Sequence, residues 1–351
     1  MACVLIPAEF TITMPDSISP VSRPRVLSGM RPTGKLHLGN YMGALANWVK
    51  MQDEFECYFF IADWHALTSD YADTSKIPQN TIDVMLDYLA AGLDPERSVL
   101  FLQNRVPQHA ELFLLFSMIT PLGWLERVPT YKEQQENLSG KDLSTYGFLG
   151  YPLLQAADIL IYQPKYVPVG QDQAAHVELT REVARRFNYF FKLNGEEVLP
   201  EPDVLLTPSP KLPGTDGRKM SKSYGNTILI TDPEPEVRRK LKTMVTDPAR
   251  IRRRDPGDPD KCPVGDLHKV FSTPETLAKV YEGCRSAEIG CIECKGWAAD
   301  ALVQILNPIQ VRRAKFSDVQ AKEILVEGSR RAAARAEETM VEVRAAVNLL
   351  V

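Results

Sequence analysis

The 351-residue chain lacks any apolar run of the roughly 18–20 residues that a membrane-spanning helix needs. Residues 1–24 contain prolines and serines, with no basic start followed by an apolar block, so we predict no secretory signal peptide. Internal repeats and low-complexity segments are also absent from the sequence. We therefore expect a cytoplasmic protein with no membrane partner.

The chain also has little net charge. Its 41 lysines and arginines and 45 aspartates and glutamates give a formal net charge of −4. A strongly basic chain would have indicated a general nucleic-acid-binding surface. We expect no DNA partner, and any RNA contact must come from a local basic patch such as residues 250–254.

Cysteine is scarce, with six in the chain, but four of the six are clustered: Cys262, Cys284, Cys291 and Cys294. Disulfides are rare in cytoplasmic proteins, so this clustering favours a metal centre. Four thiolates suit an iron–sulfur cluster or a tetrahedral Zn²⁺ ion. Reduced cysteines without a metal are the remaining alternative.

Strands and helices alternate in the first part of the chain. Apolar runs at residues 26–29, 57–63 and 98–102 predict buried strands, and amphipathic stretches at 38–54 and 80–92 predict helices. This alternation predicts an α/β protein with a Rossmann-like doubly wound parallel sheet. Ligands of such sheets bind at the carboxyl ends of the strands.

The composition changes near residue 232, after which alanine, glutamate, arginine and leucine dominate. This change predicts an all-helical C-terminal domain. We therefore divide the chain into an N-terminal extension (1–24), a Rossmann-like catalytic domain (25–230) and a helical domain (231–351).

Two segments have the composition of nucleotide-binding loops. Residues 34–40 lie where a strand turns into a helix, and a helix start offers unpaired N–H groups to phosphate. Residues 217–223 carry two lysines in a glycine- and serine-rich setting that can close over a triphosphate. Considered singly, the first segment is equally compatible with an ordinary glycine-containing turn. The alternative for the second segment is a solvated basic loop, which is the usual fate of a short charge run.

Together, the two segments resemble the HIGH and KMSKS motifs of class I aminoacyl-tRNA synthetases. Residues 37–40 read HLGN, with asparagine in place of the second histidine, and residues 219–223 match KMSKS completely. The resemblance implies that ATP and Mg²⁺ bind and that the chain acts on a tRNA.

Within class I, the chain is similar to the tryptophanyl-tRNA synthetases from about residue 25 onward. The similarity is carried by residues 28–34 and 40–44, by ADWHA at 62–66, by YPLLQAADIL at 151–160 and by VPVGQDQ at 167–173. It implies L-tryptophan and tRNA(Trp) as substrates and a homodimer as the assembly. It also implies that the helical domain contacts the anticodon.

Asp158 is the candidate acceptor for the indole of tryptophan, because an indole N–H can only donate a hydrogen bond. Ala156 and Ala157 leave room for a bicyclic ring, and Val167 and Val169 alternate as pocket-facing strand residues would. A buried acceptor rejects analogues without a donor by about 10⁴–10⁵. The alternative is a carboxylate on a helix surface.

The resemblance implies the remaining site residues. Tryptophan-binding residues would include His65, Tyr151, Gln155 and Gln173. ATP-binding residues would be Arg31, Pro32, Thr33, Gly39, Asn40, Gly170, Gln171, Asp172, Lys219, Met220 and Lys222. Four positions depart from the common bacterial pattern: Leu27 for an aromatic residue, Arg31 for Gln, Gln155 for Met and Gln171 for Glu.

The implied first step is attack of the tryptophan carboxylate on the α-phosphorus of ATP. A carboxylate needs no general base at neutral pH, so catalysis should consist of positioning and charge stabilisation. The candidate catalytic residues are His37, Asn40, Lys219, Ser221, Lys222 and Ser223, with Lys132 as a weaker candidate for phosphate contact.

The cysteine spacing resembles that of a subset of tryptophanyl-tRNA synthetases with a 4Fe-4S cluster in the helical domain.

Three other functions remain open. A tyrosyl-tRNA synthetase is disfavoured by the complete second motif. A synthetase paralogue that only binds a partner is disfavoured by the intact motifs. A small-molecule nucleotidyltransferase would have no use for a long helical domain.

Overall fold

The structure, a computed structural model, describes residues 23–128, 143–207 and 210–349. Its internal contacts divide the chain into two compact units. Pro24–Ser209 and Ile309–Val351 together form one, which we call the sheet unit. Pro210–Pro308 belongs to the other, which we call the helical unit.

Five strands form the sheet: β1 Arg25–Met30, β2 Glu56–Ile61, β3 Ser98–Leu102, β4 Tyr166–Val169 and β5 Asp203–Leu206. The strand order is β3-β2-β1-β4-β5, and every neighbouring pair is parallel. The chain adds β2 and β3 on one side of β1, and then adds β4 and β5 on the other side of β1. This confirms the predicted doubly wound sheet and places its switch point between β1 and β4.

The central strand β2 shows why these residues form a sheet. Its apolar and aromatic residues are buried on both faces, as a parallel strand covered by helices requires. Phe59 stacks on Trp48 with ring centroids 4.6 Å apart. Tyr58, which points to the opposite face, packs against Tyr162 with ring centroids 5.1 Å apart.

Helices surround the sheet. Those described in the sheet unit are Leu38–Asn40, Ala46–Met51, Asp63–Asp70, Ile77–Ala91, Gln108–Ile119, Leu122–Glu126, Tyr146–Leu160, Ala174–Phe190 and Asp318–Ala346. A π-helical turn, Tyr41–Leu45, joins the first two helices into one segment. Such turns occur often at functional sites, and Gly43 and Ala44 from this turn line the cavity described below.

The helix Asp318–Ala346, which we call the edge helix, packs against β3 at the edge of the sheet. Ser329 accepts a hydrogen bond from the backbone N–H of Leu102 through its Oγ, at 3.1 Å. The edge helix therefore belongs to the sheet unit. The division in the structure thus differs from the boundary at residue 230, because composition indicates a helix but not the surface on which it packs.

The helical unit contains the helices Glu234–Thr243, Pro263–Phe271 and Pro274–Arg285 and most of Cys291–Arg313. Thr273 begins one of them by accepting a hydrogen bond from the N–H of Thr276. The helical texture predicted for this part of the chain is confirmed. In the three described segments, none of the helices has the length and apolarity required to span a membrane.

Candidate active site

A cavity of about 350 Å³ opens in the sheet unit, where β1 and β4 end. Its position at the switch point is the usual ligand site of a doubly wound sheet. Nine of the residues predicted from sequence line it: Arg31, His65, Tyr151, Gln155, Asp158, Val167, Val169, Gly170 and Gln173. Residues that are far apart in the sequence, from the end of β1 to the residues after β4, therefore line one pocket.

Asp158 is fully buried in the wall of this cavity, which contradicts the alternative of a surface carboxylate. Its Oδ1 accepts hydrogen bonds from His109 Nδ1 at 2.5 Å and Gln103 Nε2 at 2.8 Å. Its Oδ2 accepts from His65 Nε2 at 2.9 Å and again from Gln103 at 2.8 Å. These donors satisfy a charge that burial alone would make costly.

The electrostatic balance keeps Asp158 ionised. Burial pushes its pKa upward, but His109 and His65 together outweigh burial and hold the pKa below its ordinary value of 3.8. The pocket thus presents a carboxylate at neutral pH, which is an acceptor and never a donor.

Aromatic and amide side chains form another part of the pocket wall. The Tyr151 ring lies 5.6 Å from the His176 ring and 6.4 Å from the His65 ring, measured between centroids. His176 Nδ1 lies 2.9 Å from Gln155 Oε1, so Nδ1 donates to the amide oxygen. Gln155, predicted to contact the substrate, is therefore held in place by His176.

Arg31 brings a positive charge to the cavity. It donates a hydrogen bond to Ser69 Oγ and lies 3.8 Å from Asp70 Oδ2. Its Nε is buried and has no hydrogen-bond partner in the part of the chain that the structure describes. A buried guanidinium N–H of this kind is suited to an anionic ligand group.

The turn at residues 37–40 is built by reciprocal capping. His37 Nδ1 accepts hydrogen bonds from the N–H groups of Gly39 and Asn40 at 3.1 and 3.4 Å, and Asn40 Oδ1 accepts from the N–H of His37 at 3.1 Å. Because Nδ1 accepts, a neutral ring carries its proton on Nε2. A Cβ on Gly39 would lie 2.9 Å from the imidazole, so glycine is required for this packing.

The structure does not bring every predicted residue to the cavity. His37 and Asn40 do not line it, and neither do Pro32, Thr33 or Gln171, although each lies near lining residues in the chain. The side chain of Asp172 and the whole of Lys132 lie outside the described residues.

The KMSKS segment, residues 219–223, lies in the helical unit as a compact loop. Lys219 pairs with Pro213 in an isolated antiparallel bridge, and Met220 is buried. Lys219 itself is exposed and Lys222 is half-buried. Ser221 and Ser223 join through their hydroxyls at 2.8 Å. The buried side chain of Met220 therefore holds the loop in place, and the lysines on either side of it reach the surface.

Asn226 holds this loop together. Its Oδ1 accepts from the N–H of Ser221 at 2.8 Å, and its Nδ2 donates to Asp216 Oδ1 at 2.7 Å and to the carbonyl of Lys219 at 3.2 Å. Its side chain is almost completely buried. Asn226 was not predicted as a functional residue from the sequence, although an asparagine in a glycine-rich loop frequently organises turns.

The four clustered cysteines lie in the helical unit and form no disulfides. Burial, followed by the influence of Cys262, Cys284 and Cys291, raises the pKa of Cys294 to about 12, so the four thiols share one region. Their donor chemistry suits a metal. Within the described segments, however, no three cysteine, histidine, aspartate or glutamate side chains are arranged to hold a metal ion.

Three residues that surround Asp158 or connect to it, Gln103, His109 and Tyr162, were not predicted from the sequence. The histidines offered a signal that could have found part of this set. The chain has five histidines, and four of them, His37, His65, His109 and His176, follow β1, β2, β3 and β4 respectively. Residues at that end of a doubly wound sheet converge on the ligand site.

The parallel sheet and its surrounding helices match the Rossmann-like fold of the class I aminoacyl-tRNA synthetases. A family model described as tRNA synthetases class I (W and Y) matches residues 20–307, and the chain belongs to this family.

Relatives from the tryptophanyl and the tyrosyl branches of this family differ in their similarity to the chain. A tryptophan–tRNA ligase of Thermotoga maritima is 54% identical over 330 residues, covering 93% of this chain and 99% of that protein. The crystal structure of tryptophanyl-tRNA synthetase from Campylobacter jejuni with ADP and tryptophan is 33% identical, with a TM-score of 0.82 and coverage of 93% and 100%. A tyrosyl-tRNA synthetase from Archaeoglobus fulgidus with L-tyrosine is 25% identical, with a TM-score of 0.63 and coverage of 84% and 90%.

Proposed function

We propose that the protein activates L-tryptophan with ATP to tryptophanyl-adenylate and transfers it to tRNA(Trp), releasing AMP and pyrophosphate. The observation that carries this proposal is the buried, ionised Asp158 in the wall of the cavity between β1 and β4. An indole ring needs an apolar slot and one acceptor. Val167 and Tyr151 supply apolar surface, and Asp158 supplies the acceptor.

The activation step requires positioning and charge stabilisation. His37 and Asn40 cap a helix start, where N–H groups and the helix dipole favour phosphate. Lys219 and Lys222 stabilise the charge that grows on the pyrophosphate as it leaves. Mg²⁺, when bound with ATP, neutralises phosphate charge. Arg31 acts on an anionic group inside the cavity.

Tyrosine is the competing substrate, because a phenol hydroxyl can also donate to Asp158. The 54% identity to a tryptophan–tRNA ligase, against 25% to the tyrosyl enzyme, favours tryptophan. The cavity volume of about 350 Å³ leaves room for the larger bicyclic ring.

ATP–pyrophosphate exchange with each of the twenty amino acids tests the proposal. We expect exchange with tryptophan alone and aminoacylation of tRNA(Trp). Exchange with tyrosine would assign the protein to the tyrosyl branch. The absence of exchange with all twenty would contradict enzymatic activation and favour a partner-binding paralogue.

The helical unit is proposed to bind the tRNA anticodon, with the four arginines of residues 250–254 contacting phosphates. Trp297 supports this proposal because it lines a second cavity of about 400 Å³ with Lys279 held 4.2 Å from its ring centroid. Aromatic rings and cations are common contacts of single-stranded RNA. Loss of charging without loss of ATP–pyrophosphate exchange in Trp297→Ala would support it, and unchanged charging would contradict it.

A metal centre on Cys262, Cys284, Cys291 and Cys294 is proposed, with a 4Fe-4S cluster favoured over Zn²⁺. The support is that the four thiols lie within one region and form a donor set that suits a metal. The positions of these side chains in the described residues are not those of a metal site. Anaerobic purification should yield iron and absorbance near ~400 nm, the signature of the cluster. Zinc without iron would identify the other metal, and neither metal would leave reduced cysteines.

The assembly is proposed to be a homodimer and the compartment the cytoplasm. The homodimer is what the family resemblance implies, and the cytoplasm is the expectation from the sequence. Sedimentation of the purified chain should give twice the monomer mass, and a mass equal to that of one chain would contradict the dimer.

A further inference from the structure

On the side away from the cavity, Asp158 is hydrogen-bonded to a series of buried side chains that belong to no motif in the sequence. His109 is fully buried, and its two ring nitrogens contact Asp158 Oδ1 at 2.5 Å and the Tyr162 hydroxyl at 2.8 Å. Tyr162 is fully buried as well. The three side chains thus form one continuous hydrogen-bonded line, which we call the Asp158 relay.

The bond to Asp158 has a fixed direction. A carboxylate only accepts, so His109 Nδ1 must donate to Asp158. The other ring nitrogen bonds the Tyr162 hydroxyl, which serves as the donor to a neutral imidazole and as the acceptor from an imidazolium. In both charge states the Tyr162 hydroxyl therefore holds the ring in the orientation in which Nδ1 meets Asp158.

The relay also sets which oxygen faces the ligand. Gln103 and His109 are fully buried and approach Oδ1, whereas His65, the other donor to Oδ2, lines the cavity. Three protein nitrogens approach the carboxylate, with Gln103 Nε2 lying 2.8 Å from both oxygens, so about one of its roughly four acceptor sites is left for a ligand. An indole N–H in the cavity reaches Oδ2 beside the His65 bond, because that is the bond at the cavity wall.

We propose that His109, oriented by Tyr162, is a positioning residue for recognition of the tryptophan ring nitrogen. It touches no substrate atom and acts by fixing the Asp158 carboxylate so that Oδ2 meets the indole N–H. This inference rests on the proposed function, and it extends substrate recognition from Asp158 to His109 and Tyr162, which do not contact the substrate.

The test compares two tyrosine-to-phenylalanine variants in the same aromatic cluster. Tyr162→Phe removes the relay hydroxyl. Tyr58→Phe is the matched control, since the Tyr58 ring packs on Tyr162 but its hydroxyl bonds Glu56 at 3.3 Å instead. Each variant is assayed by ATP–pyrophosphate exchange with tryptophan and with 3-benzothienylalanine, in which sulfur replaces the indole N–H. Thermal unfolding checks that both variants fold.

We expect Tyr162→Phe to raise the KM for tryptophan about tenfold, the scale of one hydrogen bond to a charged group, and to leave kcat nearly unchanged. The sulfur analogue has no N–H to position, so its kcat/KM should change little. Discrimination between the two substrates should therefore fall about tenfold, a result that general loosening of the core would not give. Tyr58→Phe should match the wild type in both assays.

A second variant tests the path through the histidine. His109→Asn keeps an N–H donor near Nδ1 but removes the nitrogen that Tyr162 serves, so adding Tyr162→Phe should then have no further effect. Equal losses for both substrates in Tyr162→Phe, or additive effects in the double variant, would overturn the inference while leaving the proposed function standing. Absence of tryptophan-dependent exchange in the wild type would overturn both.

Discussion

Gly328 of the edge helix lies against Leu100 so closely that a Cβ at position 328 would be 1.9 Å from the Leu100 carbonyl oxygen. No real Cβ approaches an oxygen to that distance, so helix and strand are in contact through their backbones. Ser329, the next residue, bonds the N–H of Leu102. Glycine is required here for close approach and not for an unusual backbone angle.

Gly328→Ala should therefore destabilise the sheet unit by about 1–3 kcal/mol, the range for an overpacked core. Gly123→Ala is the control, because a Cβ there meets nothing within 4 Å and alanine favours a helix. Chemical unfolding measures both. Equal stability of the two variants would contradict the backbone contact.

Lys222→Ala should lower the rate of adenylate formation by about 10²-fold or more, the effect of removing one donor that stabilises developing charge. Lys211→Ala, which removes an exposed lysine eleven residues upstream, is the matched control and should retain the wild-type rate. Pre-steady-state measurement of the adenylate distinguishes the two. An unchanged rate in Lys222→Ala would remove this lysine from the mechanism.

Asn226→Ala should disorder the KMSKS loop, because it removes the acceptor for Ser221 N–H and the donor to Asp216. We expect kcat for exchange to fall at least about tenfold, as each buried group left unpaired costs about 1–3 kcal/mol. The KM for tryptophan should stay the same, since the cavity lies in the sheet unit. A rise in that KM with constant kcat would contradict this division of roles.

The lowered pKa of Asp158 predicts how the protein responds to acid. Its ionised form contributes stability that is complete above the ordinary pKa of 3.8 and is lost as the pH falls through the lower folded-state pKa. Ionisation of Asp158 should therefore add no step to the KM for tryptophan between about pH 5 and 8. A carboxylate step in that window, absent from Asp158→Asn, would show that the pKa is raised instead.

Local patterns in the sequence predicted the sheet well. The run at residues 98–102 coincides with β3, and the run at 57–63 contains most of β2, because strands buried on both faces are apolar at every position. The same reasoning predicted the edge helix and grouped it with the helical domain (231–351), whereas the helix packs against β3 in the sheet unit. Its contact with β3 joins distant parts of the chain, and no local pattern carries that information.

The candidate site shows the same limit. Asp158 was predicted because an indole N–H needs an acceptor and because Asp158 follows two small residues in a segment that resembles the family's substrate-binding region; the structure places it in the cavity wall. His109 and Tyr162 were missed because a histidine at a helix start and a tyrosine at a helix end look ordinary until the fold joins them. Asn226 was missed for the related reason that its three partners are all polar groups of its own loop.

The hydrogen bond between Leu102 and Ser329 also has a consequence for the timing of synthesis. Its two residues are 227 positions apart. At about 5–20 residues per second, a ribosome needs roughly 10–45 s to travel from one to the other. Throughout that interval β3 has no edge helix, and an uncovered edge strand is open to pairing with other chains. Each newly made molecule therefore passes through a period in which the β3 edge of its sheet is unprotected, and the length of that period is set by translation of the chain between Leu102 and Ser329.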